Sequence, residues 1–190
     1  MSWLNFDDTL LPGSLNAIGE IFAAQPHCTW LIANSRAVDA ENKRLFTVEA
    51  TGQFDLGGAL IRKRAFSIPQ PISCWRRQIT DQVGLLNTSY HHCMDFDLWC
   101  RFFAAGYVPT VISAQWSTYR LHADSKSCSE QEQFIRTLIE IEKRYARRLT
   151  WLKRLHLYRM IGYQRRAYAI VADKDRLWRH IMRRPWWLAS

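Results

Sequence analysis

Asp7 and Asp8 close a short apolar run, Trp3-Leu4-Asn5-Phe6-Asp7-Asp8, in the pattern of a buried strand that delivers carboxylates to a crevice at its end. Adjacent carboxylates placed there suit Mg²⁺ or Mn²⁺, which take one or two protein carboxylates and complete their shell with the phosphates of a substrate. The pair is a weak motif alone, and an equal reading makes Asp8 a residue that steadies the turn ahead of the next helix. A second cluster, His91-His92-Cys93-Met94-Asp95-Phe96-Asp97, sets two acids at the start of an apolar helix, where free N–H groups and the helix dipole favour ionised carboxylates. Asp97 reads as such a helix-start acid. Asp95, with a loop and the histidines before it, is the candidate general base for a bound hydroxyl. The adjacent histidines read as surface or internally satisfied residues, not as metal ligands. A third cluster, in Thr118-Tyr119-Arg120-Leu121-His122-Ala123-Asp124-Ser125-Lys126-Ser127, brings Arg120, His122 and Lys126 into one loop after a strand. Lys as a point charge and Arg as a planar fork suit a diphosphate, although most such runs are solvated loops.

The elements that must position these residues are legible in outline. Ser14 is the expected N-cap of a helix with Leu15, Ile18 and Phe22 on one face and Pro26 ending it. Thr29 to Arg36 reads as an apolar strand, Asp39 to Asn42 as a polar turn, and Lys43 to Ala50 as a second strand. From Gly52 to Pro71 the pattern is irregular, with Gly57-Gly58, Pro69 and Pro71 marking loop. A short helix ends near Gly84. Next comes a helix with Phe96, Trp99, Cys100 and Phe103 at i, i+3, i+4, i+7 spacing and Gly106 at its C-terminus. Val108 to His122 reads as a strand. From Ser129 the chain turns helical, with Phe134, Leu138, Ile141, Tyr145 and Leu149 opposite Arg136, Glu140, Lys143 and Arg147.

Composition bounds the class. At 190 residues, 48% hydrophobic and 13% aromatic, the chain is globular, not disordered. Five dispersed cysteines without a C-x-x-C pair suggest neither a disulfide framework nor a zinc site, which fits a reducing compartment. With no basic-then-apolar leader and no apolar run of spanning length, the expectation is a cytoplasmic chain that neither enters secretion nor crosses a membrane. Charge is unevenly divided. Residues 1–130 hold 11 Lys/Arg against 12 Asp/Glu, whereas residues 131–190 hold 15 against 5. The positive excess of the last third points to an acidic partner reached by a C-terminal appendage. In Asp175 to Ser190, Leu177, Trp178, Ile181 and Met182 share one helical face and Arg176, Arg179 and Arg183 the other, ahead of Trp186-Trp187. An interfacial anchor on anionic membrane and a helical subdomain packing its aromatics on the core are equal readings. Nucleic-acid binding is a weaker one.

Taken together, the segments Trp3–Leu15, Ile68–Phe102 and Trp116–Ser127 resemble, in order and spacing, the second half of the catalytic domain of family 2 glycosyltransferases. Within the middle segment Gln70-Pro71, Trp75-Arg76-Arg77, Val83-Gly84-Leu85 and Met94 to Trp99 recur at the family's intervals. The resemblance implies an α/β fold: a partial GT-A, Rossmann-like mixed sheet with flanking helices over residues 1–128. A basic helical extension follows over residues 129–190. It further implies an inverting transfer of sugar from a nucleotide-sugar donor to a saccharide or lipid-linked hydroxyl acceptor, in cell-envelope polysaccharide or glycolipid synthesis. On that reading Asp7 holds Mg²⁺ or Mn²⁺, Asp95 is the base, and Asn5, Asp8, Arg120, His122 and Lys126 adjoin the donor diphosphate. Gln70, Trp75 and Arg76 line the sugar and acceptor pocket, and the tail gives peripheral contact with the inner face of the plasma membrane.

Two departures qualify these expectations. Asn5 stands where the family's first metal-site acid falls, which removes one charge. The family's first βα units, which bind base and ribose, have no counterpart in this sequence, so the chain by itself is expected to show weak or no transfer. The alternative is a non-catalytic remnant that keeps the fold and binds a membrane or a partner. Glycoside hydrolysis is the weaker enzymatic reading, since its paired acids flank one bond and need no diphosphate loop.

Overall fold

A computed structural model describes residues 1–51, 54–61, 68–121 and 131–171. In chain order these form β1 (Thr9–Leu10), α1 (Ser14–Ala24), β2 (Trp30–Val38), β3 (Arg44–Val48) and α2 (Leu56–Ile61). A 3₁₀ turn (Gln70–Ile72), β4 (Cys74–Trp75), α3 (Arg77–Val83), α4 (Met94–Ala104), β5 (Thr110–Arg120), α5 (Gln131–Ala146) and α6 (Trp151–Val171) complete them. The fold is α/β, with a mixed open sheet and helices on both faces.

β2 is the centre of the sheet because its sequence suits burial on both faces: Trp30-Leu31-Ile32-Ala33 is an unbroken apolar run, and all four residues are fully buried. Side chains alternate across a strand, so Trp30 and Ile32 enter a large core with α2, α3, α4, α5 and α6. Leu31 and Ala33 enter a smaller core with Ile18, Ile21 and Phe22 of α1. β5 lies parallel to one edge of β2, while β3 and β4 pair antiparallel with the other. β1 adds antiparallel to the far side of β5, Thr9 opposite Thr118 and Leu10 opposite Ser117.

The polar turn Asp39–Asn42 does close a hairpin between β2 and β3. The Asp39 carboxylate accepts from the N–H groups of Glu41 at 3.1 Å and Lys43 at 2.7 Å, and Asn42 takes φ 65°, a conformation asparagine tolerates. Helix α4 ends as its glycine predicts. Gly106, at φ 88°, donates to Phe103 O and Tyr107 to Phe102 O, the paired bonds of a Schellman motif.

Some expectations are corrected. The residue before α1 with non-helical geometry is Gly13, at φ 82°, and Ser14 is the first helical residue, its hydroxyl donating to Trp116 O at 2.8 Å. Leu15 is exposed, and the buried face of α1 runs through Ser14 and Ile18 with Ile21 and Phe22 packed beside them. Gly57-Gly58, expected as loop, lies in α2. The helix begins on Asp55, whose carboxylate accepts from Gly58 N–H. A Cβ on Gly57 would meet only side-chain ends, Lys153 Nζ at 3.1 Å and Asp55 Oδ1 at 3.2 Å.

Nor does the core stop at residue 128. Leu138, Ile141, Tyr145 and Leu149 are buried in the same cluster as Trp30 and Phe102, together with Leu157 and Ile161 of α6. A buried carboxylate fastens this helical third to α4. Asp97, 1% exposed, lies 3.0 Å from Arg101 Nε, accepts from Tyr145 Oη at 3.3 Å, and has Arg144 at 3.9 Å. Burial and the neighbouring Asp97 push the Tyr145 hydroxyl up, so it stays protonated and donates. Removing one member of a buried ion pair leaves the other charge uncompensated, so Asp97→Ala is expected to cost about 3 kcal/mol of unfolding free energy, against about 1 kcal/mol for Tyr145→Phe. Urea denaturation of the three proteins measures both.

Candidate functional site

The acidic turn is held from both sides. Before it, the backbone of Met1 accepts from Trp75 N–H at 2.9 Å, which lays the first residues alongside β4. Trp3 then stacks on Trp99 of α4, with ring centroids 5.7 Å apart, and meets the edge of Trp75 at 5.6 Å. After it, β1 is tied to β5. The intervening Asn5–Asp8 segment is a tight turn closed by Asp8 N–H donating to Asn5 O at 3.3 Å.

Side chains complete the turn. Asn5 Nδ2 donates to Asp8 Oδ2 and to Gln70 Oε1, each at 3.0 Å, and Gln70 Nε2 donates to Trp3 O at 2.7 Å. Asp8 Oδ1 accepts from the backbone N–H of Arg120 at 3.0 Å, which caps the end of β5. The Arg120 guanidinium reaches Asp7 O at 3.2 Å, Asp39 O at 2.8 Å, Ala40 O at 3.1 Å and Asn42 Oδ1 at 2.7 Å. The structure thus brings Asn5, Asp7, Asp8, Gln70 and Arg120 into one connected network.

Within that network the roles divide. Asp8 is buried and both its oxygens are engaged, so it builds the turn, the structural half of the sequence reading. Arg120 is spent on carbonyls of the turn and the hairpin, and its contacts are with the fold. Asp7 is half-buried with its backbone fixed by Arg120. Asn5 turns its amide nitrogen toward Asp8 and Gln70, which directs its amide oxygen away from them. An Asp7 carboxylate and an Asn5 amide oxygen are hard donors that fit Mg²⁺ or Mn²⁺ only if phosphate oxygens supply the rest of the shell. Among the described residues no group of three or more His, Cys, Asp or Glu could hold a metal ion by itself.

Asp95 stands in the first turn of α4, half-buried, its Oδ1 accepting from Phe96 N–H at 2.8 Å. Burial raises its proton affinity above the ordinary carboxylate range, against the opposing effect of its backbone hydrogen bonds. It lies one turn before Trp99 on the same helix face, and Trp99 carries the stacked Trp3, so Asp95 and the acidic turn belong to adjoining segments. Cys93, just before α4, is buried, and burial followed by the nearby Asp95 charge pushes its thiol well up, so it stays protonated and is no nucleophile.

Trp75 and Arg76, expected at the sugar and acceptor pocket, make their contacts inside the fold. Trp75 is 4% exposed and packs edge-on against Trp99 at 5.8 Å and Phe102 at 5.5 Å. Arg76 donates to Cys28 O at 2.8 Å and to Phe22 O and Gln25 O, closing the C-terminal end of α1, and its guanidinium lies 5.1 Å from the Phe22 ring centre. His122 and Lys126 lie outside the described residues, as does the tail from residue 172. No protein-family model matches this chain, and no curated protein matches it. The chemistry is therefore read from the site itself.

Asp8 yields a pH signature. Burial raises its proton affinity, with Asp7 adding to the effect, while the Arg120 N–H and Asn5 oppose it. At low pH the folded and unfolded chains both hold this proton and no penalty exists. As pH rises past the ordinary carboxylate value the unfolded chain releases it first, so the penalty on folding grows until the raised value is passed and stays constant above it. The stability of wild type relative to Asp8→Asn should therefore fall as pH rises through that window. Urea midpoints at a series of pH values give the slope, and a flat difference would refute the assignment.

Proposed function

We propose that this chain forms the acceptor-side part of an inverting nucleotide-sugar glycosyltransferase resembling family 2, with a GT-A-like fold, acting on a saccharide or lipid-linked hydroxyl. The observation that carries the reading is Asp95: a carboxyl at a helix start, made more basic by burial and set on the face of α4 against which the acidic-turn segment stacks. A base of raised pKa takes an acceptor proton more readily near neutral pH than an ordinary aspartate does.

In this mechanism Asp95 removes the acceptor proton as the hydroxyl oxygen attacks the anomeric carbon from the face opposite the leaving group. Gln70 and Asn5 fix the turn, and Asp7 would hold a divalent cation together with the phosphates of a nucleoside diphosphate. Such a cation, when bound, offsets the charge that develops on the departing diphosphate. Asp8 and Arg120 keep Asp7 in place, so little ordering remains for the ligand to impose.

Two measurements test the proposal. Mn²⁺ added with a nucleoside diphosphate should selectively broaden the amide resonances of Asn5 to Thr9, and Asp7→Asn should abolish the effect without altering the remaining spectrum. Turnover of UDP- or GDP-sugar, expected to be slow, should fall by about a hundredfold or more in Asp95→Asn. In wild type the acidic limb of the pH–rate profile should lie above the ordinary aspartate range, and Asp95→Asn should lack it. Uniform broadening, or turnover indifferent to Asp95, sinks the reading.

A further inference from the structure

Helix α6 is apolar on two sides. Leu157 and Ile161 are buried in the core, as a surface helix requires, but the opposite face is not polar. Trp151 is 69% exposed, Leu152 60%, Leu155 53% and Tyr163 75%. Trp151, Leu155, Arg159 and Tyr163 follow one another at four-residue steps, the spacing of a continuous row along a helix surface, with Leu152 beside it. The surrounding charge has one sign. Residues 143–172 contain nine Lys/Arg and no Asp/Glu, and Lys143, Arg144, Arg147, Arg148 and Arg159 are exposed.

We propose that this outer face of α6, with the basic end of α5, docks on an anionic phospholipid surface. The occupant must supply both negative charge and an apolar medium. A second copy of the chain would set like charges against each other. Residues 172–190, with five Lys/Arg and two Asp/Glu, carry the same sign as the face. A nucleic acid matches the charge but offers no apolar interior to Leu152 and Leu155, whereas the boundary between lipid headgroups and acyl chains offers both. Trp and Tyr settle at that boundary, Leu inserts below it, and Arg meets the headgroup phosphates. Among the described residues no helix is long and apolar enough to cross a membrane, so the helix lies along the surface. The inference stands independently of the glycosyl-transfer reading.

The full chain tests it by flotation with vesicles of phosphatidylcholine alone and of phosphatidylcholine with an equal part of phosphatidylglycerol. Flotation is expected with the anionic vesicles only, and it should weaken as salt is raised. Leu155→Ser, at an exposed position where circular dichroism should report an unchanged fold, is expected to weaken partitioning about tenfold. Arg147→Gln with Arg148→Gln should weaken it by a similar or larger factor, and Leu155→Trp should strengthen it. Equal flotation with neutral vesicles overturns the proposal. So do Leu155 and Arg147/Arg148 variants that float like wild type, which would place binding elsewhere in the chain. Preferential capture of single-stranded RNA over anionic vesicles, or a dimer in sedimentation that Leu155→Ser dissolves, would assign the face to another occupant.

Discussion

The fold depends on one indole ring. Trp99 of α4 stacks on Trp30 of the central strand at 5.1 Å and on Trp3 at 5.7 Å, and meets Trp75 of β4 at 5.8 Å and Phe102 at 5.5 Å. Rings of this size bury on the order of 150–250 Å² each and prefer defined stacked or edge-on arrangements. An interior packed to crystal density cannot shift one of them alone. The sheet, β4, α4 and the segment leading to the acidic turn are therefore placed relative to one another by a single contact set. The segment leading to the acidic turn and the helix that carries Asp95 are thus held to the same ring.

Around that apolar centre, polar groups do the fastening. Arg76 gathers carbonyls at the end of α1, and Arg120 gathers those of the acidic turn and the hairpin. Arg101 reaches Val83 O at 2.9 Å and Gly84 O at 3.0 Å at the end of α3 while pairing with Asp97. Each offers several donors in a fixed plane, a geometry suited to bridging chain segments whose carbonyls have no other partners. A bridge from a charged donor is worth on the order of 1.5–3 kcal/mol, more than a neutral hydrogen bond. These bonds are thus a sizeable share of a domain's net stability.

How much of this the sequence disclosed follows from what kind of signal each feature leaves. The period of α4 and α5, the β2–β3 turn and the Gly84 and Gly106 stops are local patterns, and all appear at the expected places. Asn5, Asp8, Gln70 and Arg120 were separable as polar residues with chemical promise. Their joining, across 65 residues between Asn5 and Gln70 and 112 between Asp8 and Arg120, has no local trace. Asp97 read as a helix-start acid because only its own helix was visible. Its partners Arg144 and Tyr145 come from an element that the charge split had set apart. Trp75 and Arg76 are placed at a sugar and acceptor pocket by the family resemblance alone. A tryptophan and an arginine serve a core and a helix end equally well, and only the tertiary contacts separate the uses. Gly57-Gly58 read as loop because glycine's weak helix propensity is a local quantity, which the Asp55 carboxylate accepting from Gly58 N–H and the burial of Ala59 and Leu60 override.

The inward use of Arg76, Arg101 and Arg120 has an electrostatic outcome. Their charges face carbonyls and a buried carboxylate, while Lys143, Arg147 and Arg159 are exposed on α5, the turn after it and α6. Charge is correspondingly divided along the chain: residues 1–130 are nearly neutral and residues 131–190 positive. In the field of any negatively charged body the helical third would therefore be drawn first.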